Sequence, residues 1–166
     1  MAQISSKVGE ERHIKKEATV TAAAGTHAVN LFQLTGAVRI ISQVGIITEV
    51  TTLTNMTAVY ADLWDGTNSE LLTANGATLS GATVGSILTK DQDTSNPYSV
   101  LLADQCRVSE VISDRNIGKP FTVVQKNVTN TYMRIRFTTT DDPISFKMFL
   151  HFCWEPLDGG NLVPLF

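Results

Sequence analysis

The sequence predicts an all-β fold, a β-sandwich of jelly-roll type, from three observations. Apolar and polar side chains alternate along Ile144–Trp154, which is the period of a strand with one buried face. The same alternation occurs over residues 132–137. Turn signals such as Asp65–Gly66 recur between apolar segments, without the rhythm of βαβ units. About eight short strands of this kind suit the two closed sheets of a jelly roll.

The two alternating segments are joined by a polar link that ends in Pro143, so we expect them to form a β-hairpin. Gly45 lies inside a long apolar run and predicts a bulge or a close backbone contact. The segment 101–114 is ambiguous and has room for at most one short helix. Further strands are predicted at residues 28–34, 38–50, 59–64, 83–89 and 121–126.

The chain divides into a polar N-terminal arm at 1–17, a folded body at 18–154 and a C-terminal tail at 155–166. The tail ends in an apolar run, which would be adhesive if it were left in water. We therefore expect both terminal segments to contact neighbouring subunits; the alternative is that the tail folds back onto its own domain. The expected interface residues are Arg12, Ile14, Leu157, Leu162, Val163, Leu165 and Phe166.

Composition narrows the classes of partner. A length of 166 residues fits one domain, and a charged fraction of 17% suits a chain whose surface meets other proteins. The net charge of -3, without a basic stripe, argues against nucleic acid. The polar start and the lack of an apolar stretch of about 20 residues predict a protein made in a cytoplasm, with no membrane partner.

Motifs that carry chemistry are missing from the sequence. It has no GxSxG, P-loop, GxGxxG or HExxH pattern, so we expect no enzyme, no cofactor and no metal. Cys106 and Cys153 are too few and too far apart for a zinc cluster or a redox pair, and two buried thiols are favoured over a disulfide. The polar loop 91–96 lacks the glycine and the acidic residue that a calcium loop requires.

Two other functions stay open as alternatives. A carbohydrate- or receptor-binding module would use Trp64 as a stacking platform beside Asp62 and Tyr98. A cupin-like metal enzyme would need His27 and His151 to share a site with a carboxylate. In both cases the ordinary interpretation is packing or a polar strand face.

Two stretches resemble small structural proteins encoded in the genomes of tailed bacteriophages. Asn30–Ile40, followed by Val44–Thr48, is similar to their opening pattern "NLFxVTG, apolar strand, VGxVT". Phe152–Gly160 is similar to their close, an aromatic strand that runs into "PLDxG". The resemblance covers both ends of the body and is loose over Leu71–Lys119.

This resemblance implies a structural virion protein on the capsid surface, of the head decoration or cement type. Such proteins are often β-sandwiches or jelly rolls, are commonly trimers, and bind over joints in the capsid lattice. The implied partners are the major capsid protein and further copies of the chain in a homotrimer. The resemblance carries no catalytic residues. A tail, neck or fibre-attachment protein is the alternative within the same class.

Overall fold

The computed structural model describes residues 12–50, 53–89, 99–101, 120–125, 131–157 and 159–166, and these residues form eleven β-strands. The expected arm up to residue 11, the ambiguous segment from residue 102, the polar loop 91–96, Tyr98 and Cys106 lie outside the described residues. The strands are β1 (Arg12–Ala22), β2 (Gly25–Thr35), β3 (Ala37–Val50), β4 (Met56–Trp64), β5 (Ser69–Leu71), β6 (Ile87–Thr89), β7 (Ser99–Leu101), β8 (Phe121–Val124), β9 (Thr131–Thr139), β10 (Ile144–Pro156) and β11 (Asn161–Pro164).

The strands form two antiparallel sheets, so the fold is the all-β sandwich that the sequence predicts. Sheet A has the order β1-β10-β3-β6-β7, with β8 also paired to β3, and sheet B has the order β11-β2-β9-β4-β5. Four of the strand pairs are nested along the chain, β1 with β10, β2 with β9, β3 with β6 and β4 with β5, and the C-terminal strand β11 pairs with β2 outside this nesting.

The alternation in β9 and β10 has the predicted effect on burial. Every second residue of β9 is buried, and the same period holds along most of β10. The inward side chains of the two sheets meet in a core whose largest fully buried members include Trp154, Phe32, Phe137 and Phe146. Gly45 is also explained, because a Cβ there would collide with the Met148 side chain on the neighbouring strand.

The predicted hairpin between these two strands is wrong. β9 belongs to sheet B and β10 to sheet A, so the link between Thr139 and Ile144 crosses from one sheet to the other. Alternation of apolar and polar residues indicates that each strand buries one face. It does not indicate whether the two strands belong to the same sheet or to sheets that face each other. Here they belong to facing sheets.

The predicted domain boundaries also need correction. β1 begins at Arg12, so residues 12–17 belong to the sandwich and not to an arm. Ile14 lies on the same face of β1 as the buried Ala18 and Val20, and it packs against the core. At the other end, β10 continues to Pro156 and residues 161–164 form the edge strand β11 on β2. The tail therefore folds back onto its own domain.

A carboxylate holds the entry to β4. Asp141 accepts hydrogen bonds from the Asn55 backbone N–H (3.0 Å) and from Thr54 Oγ1 (2.8 Å). The Asn55 backbone bond is the largest cause that lowers the Asp141 pKa below its ordinary 3.8. A carboxyl with a lowered pKa stabilises the fold above the unfolded pKa, and this contribution disappears as the pH falls through the folded pKa.

Asp141→Asn should therefore make the free energy of unfolding less dependent on pH in acid. We expect the free energy of unfolding of the unsubstituted protein to fall more steeply below pH 3.8 than that of the variant. Urea unfolding across this range measures the difference, with Asp142→Asn as the control for a general charge effect. Parallel curves for the unsubstituted protein and Asp141→Asn would contradict the role of these hydrogen bonds.

Candidate functional site

The outer face of sheet B carries a cluster of aromatic and arginine side chains, which we call the Trp64 face. Cross-strand pairing of β4 with β9 builds it, because directly paired residues project to the same side of a sheet. The intervening residues Ala61, Met133 and Ile135 point inward and are buried, so the cluster points outward. The paired members of the face are Tyr60 with Arg136, Asp62 with Arg134, and Trp64 with Tyr132.

Asp62 is the anchor of the Trp64 face. Its side chain is fully buried, and its carboxylate accepts a bidentate pair of hydrogen bonds from Arg134, Nε at 2.8 Å and Nη2 at 2.6 Å. Arg136 Nη1 lies 3.6 Å from the same carboxylate. One carboxylate therefore fixes two guanidinium groups in place, and bidentate geometry makes the Arg134 contact the strong one.

The fixed guanidinium groups lie against aromatic rings. Arg134 Cζ is 4.6 Å from the centroid of the Trp64 ring, and Arg136 Cζ is 5.4 Å from that of Tyr60. Trp64 also stacks with Tyr132 at a centroid distance of 6.0 Å. Such cation–π contacts contribute about 0.5–1 kcal/mol each at exposed sites. The rings and the guanidinium groups are thus held in one arrangement before any partner arrives.

Apolar side chains extend the Trp64 face to both edges of the sheet. Leu71 on β5 is paired with Asp62 and is 49% exposed. Val163 on β11 is paired with Gln33, which is itself paired with Tyr132, and Val163 is 41% exposed. The face therefore combines exposed apolar rims with a centre of tryptophan, tyrosine and arginine.

Sheet A presents a different outer face. Charged side chains there form ion pairs across strands, Arg39 with Glu155 at 3.0 Å and Lys147 with Glu49 at 2.6 Å. Exposed ion pairs of this kind contribute little stability and are ordinary on a solvated surface.

Two of the expected interface residues of the tail, Leu162 and Phe166, lie against their own domain. Leu162 is only 2% exposed and is paired with the fully buried Leu34. Phe166 packs on the core, with its ring 5.6 Å from that of Phe32. These two residues of the tail's apolar run pack on their own domain, which is the alternative that the sequence left open for the tail.

The other expected interface residues divide between exposed and docked positions. The Leu157 backbone N–H donates to Ala37 O at 3.0 Å, and Ile14 packs against the core. Arg12 is exposed, with Cζ 5.2 Å from the centroid of the Trp154 ring. Leu165 is 45% exposed. Val163 is the member of the expected set that lies on the Trp64 face.

The residues of the enzyme alternative are not brought together. His27 is on β2 of sheet B, where its Nε2 lies 2.8 Å from Ala23 O. His151 is on β10 of sheet A, where its Nε2 lies 3.3 Å from His13 Nδ1. Within the part of the chain that the structure describes, no group of three or more metal-binding side chains could hold an ion. Cys153 is a buried thiol whose Sγ lies 3.9 Å from His13 Nε2.

Asp62, the carboxylate of the carbohydrate alternative, and its neighbour Asp65 both already accept hydrogen bonds within the chain. Asp62 is buried against two arginines, so it cannot accept sugar hydroxyls without losing those bonds. Asp65 Oδ1 accepts the backbone N–H groups of Thr67 (2.9 Å) and Asn68 (2.6 Å) and so holds the β4–β5 turn. Of the other two predicted sugar contacts, Trp64 lies on the outer face of sheet B with Arg134 over its ring, and Tyr98 lies outside the described residues.

Sequence reasoning identified part of the Trp64 face. It placed Tyr132, Arg134 and Arg136 on the polar face of a strand, and the period of two was the signal. It did not join them to Asp62, because the pairing of β4 with β9 spans 72 positions between Asp62 and Arg134. Long-range register of this kind has no local signature in the sequence.

Comparisons with known proteins add little to these observations. No family model matches the chain, and no curated protein matches it. Among solved structures, the chain is similar to the crystal structure of infectious bursal disease virus VP2 subviral particle, with 10% sequence identity and a TM-score of 0.28. The match covers 95% of this chain and 43% of that one, and a likeness of this size carries no argument. Among the described residues, no helix has the length and apolarity needed to cross a membrane.

Proposed function

We propose that this chain is a structural virion protein of the cement or decoration type, which binds over joints between capsid subunits and stabilises the head. The Trp64 face is the surface that makes the contact. The single observation that carries the proposal is the composition of this face. Tryptophan, tyrosine and arginine are the residue types over-represented among those that dominate binding energy at protein interfaces. The likeness of the two ends of the body to phage structural proteins supports the virion setting.

The state of the arginines favours a protein partner. Arg134 is held by Asp62, so it loses little side-chain entropy on binding, and rigid groups of this kind bind with a smaller entropic cost. Two guanidinium groups share one carboxylate, which leaves the face with an excess of positive charge.

The size of the face suits a specific contact. Strands lie about 4.8 Å apart and rise about 3.4 Å per residue, so the three long strands of sheet B and its two short ones cover roughly 600 Å² in projection. A standard interface buries about 800 Å² per partner. The outer face of sheet B alone thus supplies most of one such contact, and repetition over a symmetric lattice would multiply its effect.

The proposed mechanism is mechanical. A sandwich that bridges two capsid subunits adds buried surface that must be lost before those subunits separate. We place the chain as a homotrimer over lattice joints, with the major capsid protein as its partner. The rival position within the same class is the tail, neck or fibre attachment, and localisation in the virion separates the two. Three-fold sites over the whole lattice indicate cement, and sites confined to the tail axis or to one vertex indicate the rival.

Trp64→Ala should weaken binding to capsid shells by about 30-fold or more, because truncation of a central aromatic residue typically costs 2 kcal/mol or more. The measurement is co-sedimentation of the purified chain with shells of the virus whose genome encodes it, over a range of concentrations. Circular dichroism and thermal unfolding of the variant check that the fold is kept.

The matched control is Lys147→Ala, on the outer face of sheet A, which should leave binding within about twofold. An equal loss of affinity for the shells in both variants would indicate a general effect and not a contact at the Trp64 face. Unchanged binding of Trp64→Ala would refute the face as the contact surface. Binding of a sugar that disappears in Trp64→Ala, with no binding to shells, would favour the carbohydrate alternative.

A further inference from the structure

Arg136 is the arginine of the Trp64 face that keeps hydrogen-bonding capacity at the surface. Arg134 is 11% exposed and spends two donors on the Asp62 carboxylate, at 2.8 and 2.6 Å. The Arg136 side chain is 30% exposed, and its Nη1 lies 3.6 Å from the same carboxylate, which is too far for a hydrogen bond. Its Nε is buried, whereas its Nη groups reach the surface. Arg136 can therefore donate from its Nη end to a further acceptor.

The neighbours of Arg136 leave an approach to this end. On β4 it is paired with Tyr60, whose ring centroid lies 5.4 Å from the guanidinium carbon. On β2 it is paired with Ala28, which is exposed and carries only a methyl group. An acceptor can therefore come in over Ala28, while the Tyr60 ring backs the guanidinium group from the other side.

The outer face of sheet B is positively charged. Of the described residues on this face, Asp62, Arg134 and Arg136 are the charged ones, and the paired positions on β2, β5 and β11 are neutral. One carboxylate against two guanidinium groups leaves one positive charge in excess, although the whole chain has a net charge of -3. An acceptor that also neutralises this charge is an anion, and guanidinium groups bind carboxylates and phosphates.

The apolar residues on either side of Arg136 favour a protein as the source of the anion. Leu71 is 49% exposed on β5 and Val163 is 41% exposed on β11. These strands are the two edges of sheet B, with β9 in the centre, so four strand spacings of about 4.8 Å separate them by roughly 19 Å. A free carboxylate touches the centre alone. A protein surface that carries the carboxylate also covers both apolar edges and removes them from water.

We propose that the partner of the Trp64 face presents an aspartate or glutamate side chain to Arg136, with apolar surface on either side for Leu71 and Val163. This inference rests on the proposed function, because it names the chemistry of the surface that the Trp64 face contacts. The partner's carboxylate accepts from the Nη groups of Arg136, and charge-assisted bonds of this kind are stronger than neutral ones. Asp62 keeps its bidentate contact with Arg134, so the anchor of the face is not disturbed.

The test is the affinity of Arg136→Gln for the same capsid shells, measured by co-sedimentation at several salt concentrations. We expect a loss of about 30-fold or more, as is usual when one member of a charge pair buried by binding is truncated. The affinity of the unsubstituted protein should fall as salt rises, and that of Arg136→Gln should fall less steeply. Arg136→Lys keeps the charge and should lose less than Arg136→Gln. Thermal unfolding checks that each variant keeps the fold.

The matched control is Arg39→Gln, which removes the same charge from the outer face of sheet A and should leave binding within about twofold. Equal losses in Arg39→Gln and Arg136→Gln would show that net charge alone is responsible and would overturn the site. Equal losses in Arg136→Lys and Arg136→Gln would overturn the ionic contact. A short DNA duplex that binds the unsubstituted protein but not Arg136→Gln would overturn the assignment to a protein carboxylate.

Two further outcomes separate this inference from the proposed function. If Trp64→Ala loses affinity for the shells and Arg136→Gln does not, the partner's carboxylate is refuted and the Trp64 face remains the contact surface. If the unsubstituted protein does not sediment with the shells at all, the proposed function fails and the partner's carboxylate fails with it.

Discussion

Replacing Asp62 by asparagine should lower the free energy of unfolding by about 3 kcal/mol. The carboxylate is fully buried and neutralises Arg134 and Arg136, whose side chains are 11% and 30% exposed. Removal of one member of a buried ion pair typically costs about 3–5 kcal/mol, because the remaining charge is left uncompensated. We expect the lower end of that range, since Arg136 keeps enough exposure to recruit water. Urea unfolding gives the number, and an unchanged slope with urea checks that both states stay comparable.

The control for this prediction is Glu155→Gln, which breaks an ion pair on sheet A. Its partner Arg39 is 47% exposed, so we expect a loss below about 1 kcal/mol. Similar small losses in the two variants would mean that Asp62 does not anchor the Trp64 face. A large loss in Asp62→Asn has a second consequence for binding. Arg134 would no longer be fixed over Trp64, so the contact with a partner should weaken as well.

The strands of this sandwich could be predicted because their signal is local. In β10 the buried residues recur at every second position along most of the strand, and the sequence shows this directly. The Asp65–Gly66 turn was also predictable, because the Asp65 side chain accepts the backbone N–H groups that the turn leaves unpaired. Each of these features depends on residues within a few positions of one another.

The pairing of strands could not be predicted, because it depends on contacts between distant segments. The link after Thr139 looks like a hairpin loop, yet it joins strands of opposite sheets. The same limit explains the Trp64 face. The sequence shows an aspartate in one strand and arginines in another, and only the register of β4 with β9 turns them into a buried network. A single sequence carries no information on that register.

The terminal segments were misassigned for a related reason. Charged residues at 15–17 obscure an alternation in which Ile14, Ala18 and Val20 all face the core. In the tail, the apolar run was identified correctly as surface that must be covered. The sandwich itself covers this run, since β11 adds to β2 and Leu162 becomes part of the buried core. An apolar run indicates that its side chains must be buried, but it does not indicate which surface buries them.

Leu162→Ala provides the test of this docked tail, with an expected loss of about 3 kcal/mol in the free energy of unfolding. Leu162 is 2% exposed, and truncation of a buried leucine to alanine costs about 2–5 kcal/mol. The matched control is Val163→Ala, one position along the same strand, where 41% exposure predicts a loss below about 1 kcal/mol. Equal and small losses would mean that β11 is not held on the sandwich.

The structure also sets an upper limit on the free energy of unfolding that Leu162→Ala can lose. β11 is a four-residue edge strand on β2, so a weakened β11 can detach while the remaining strands stay folded. The cost of Leu162→Ala therefore cannot exceed the cost of deleting residues 161–166. If the two changes cost the same, the substitution has detached the whole strand. If the deletion costs more, β11 stays docked in the variant and the loss measures the cavity left by Leu162.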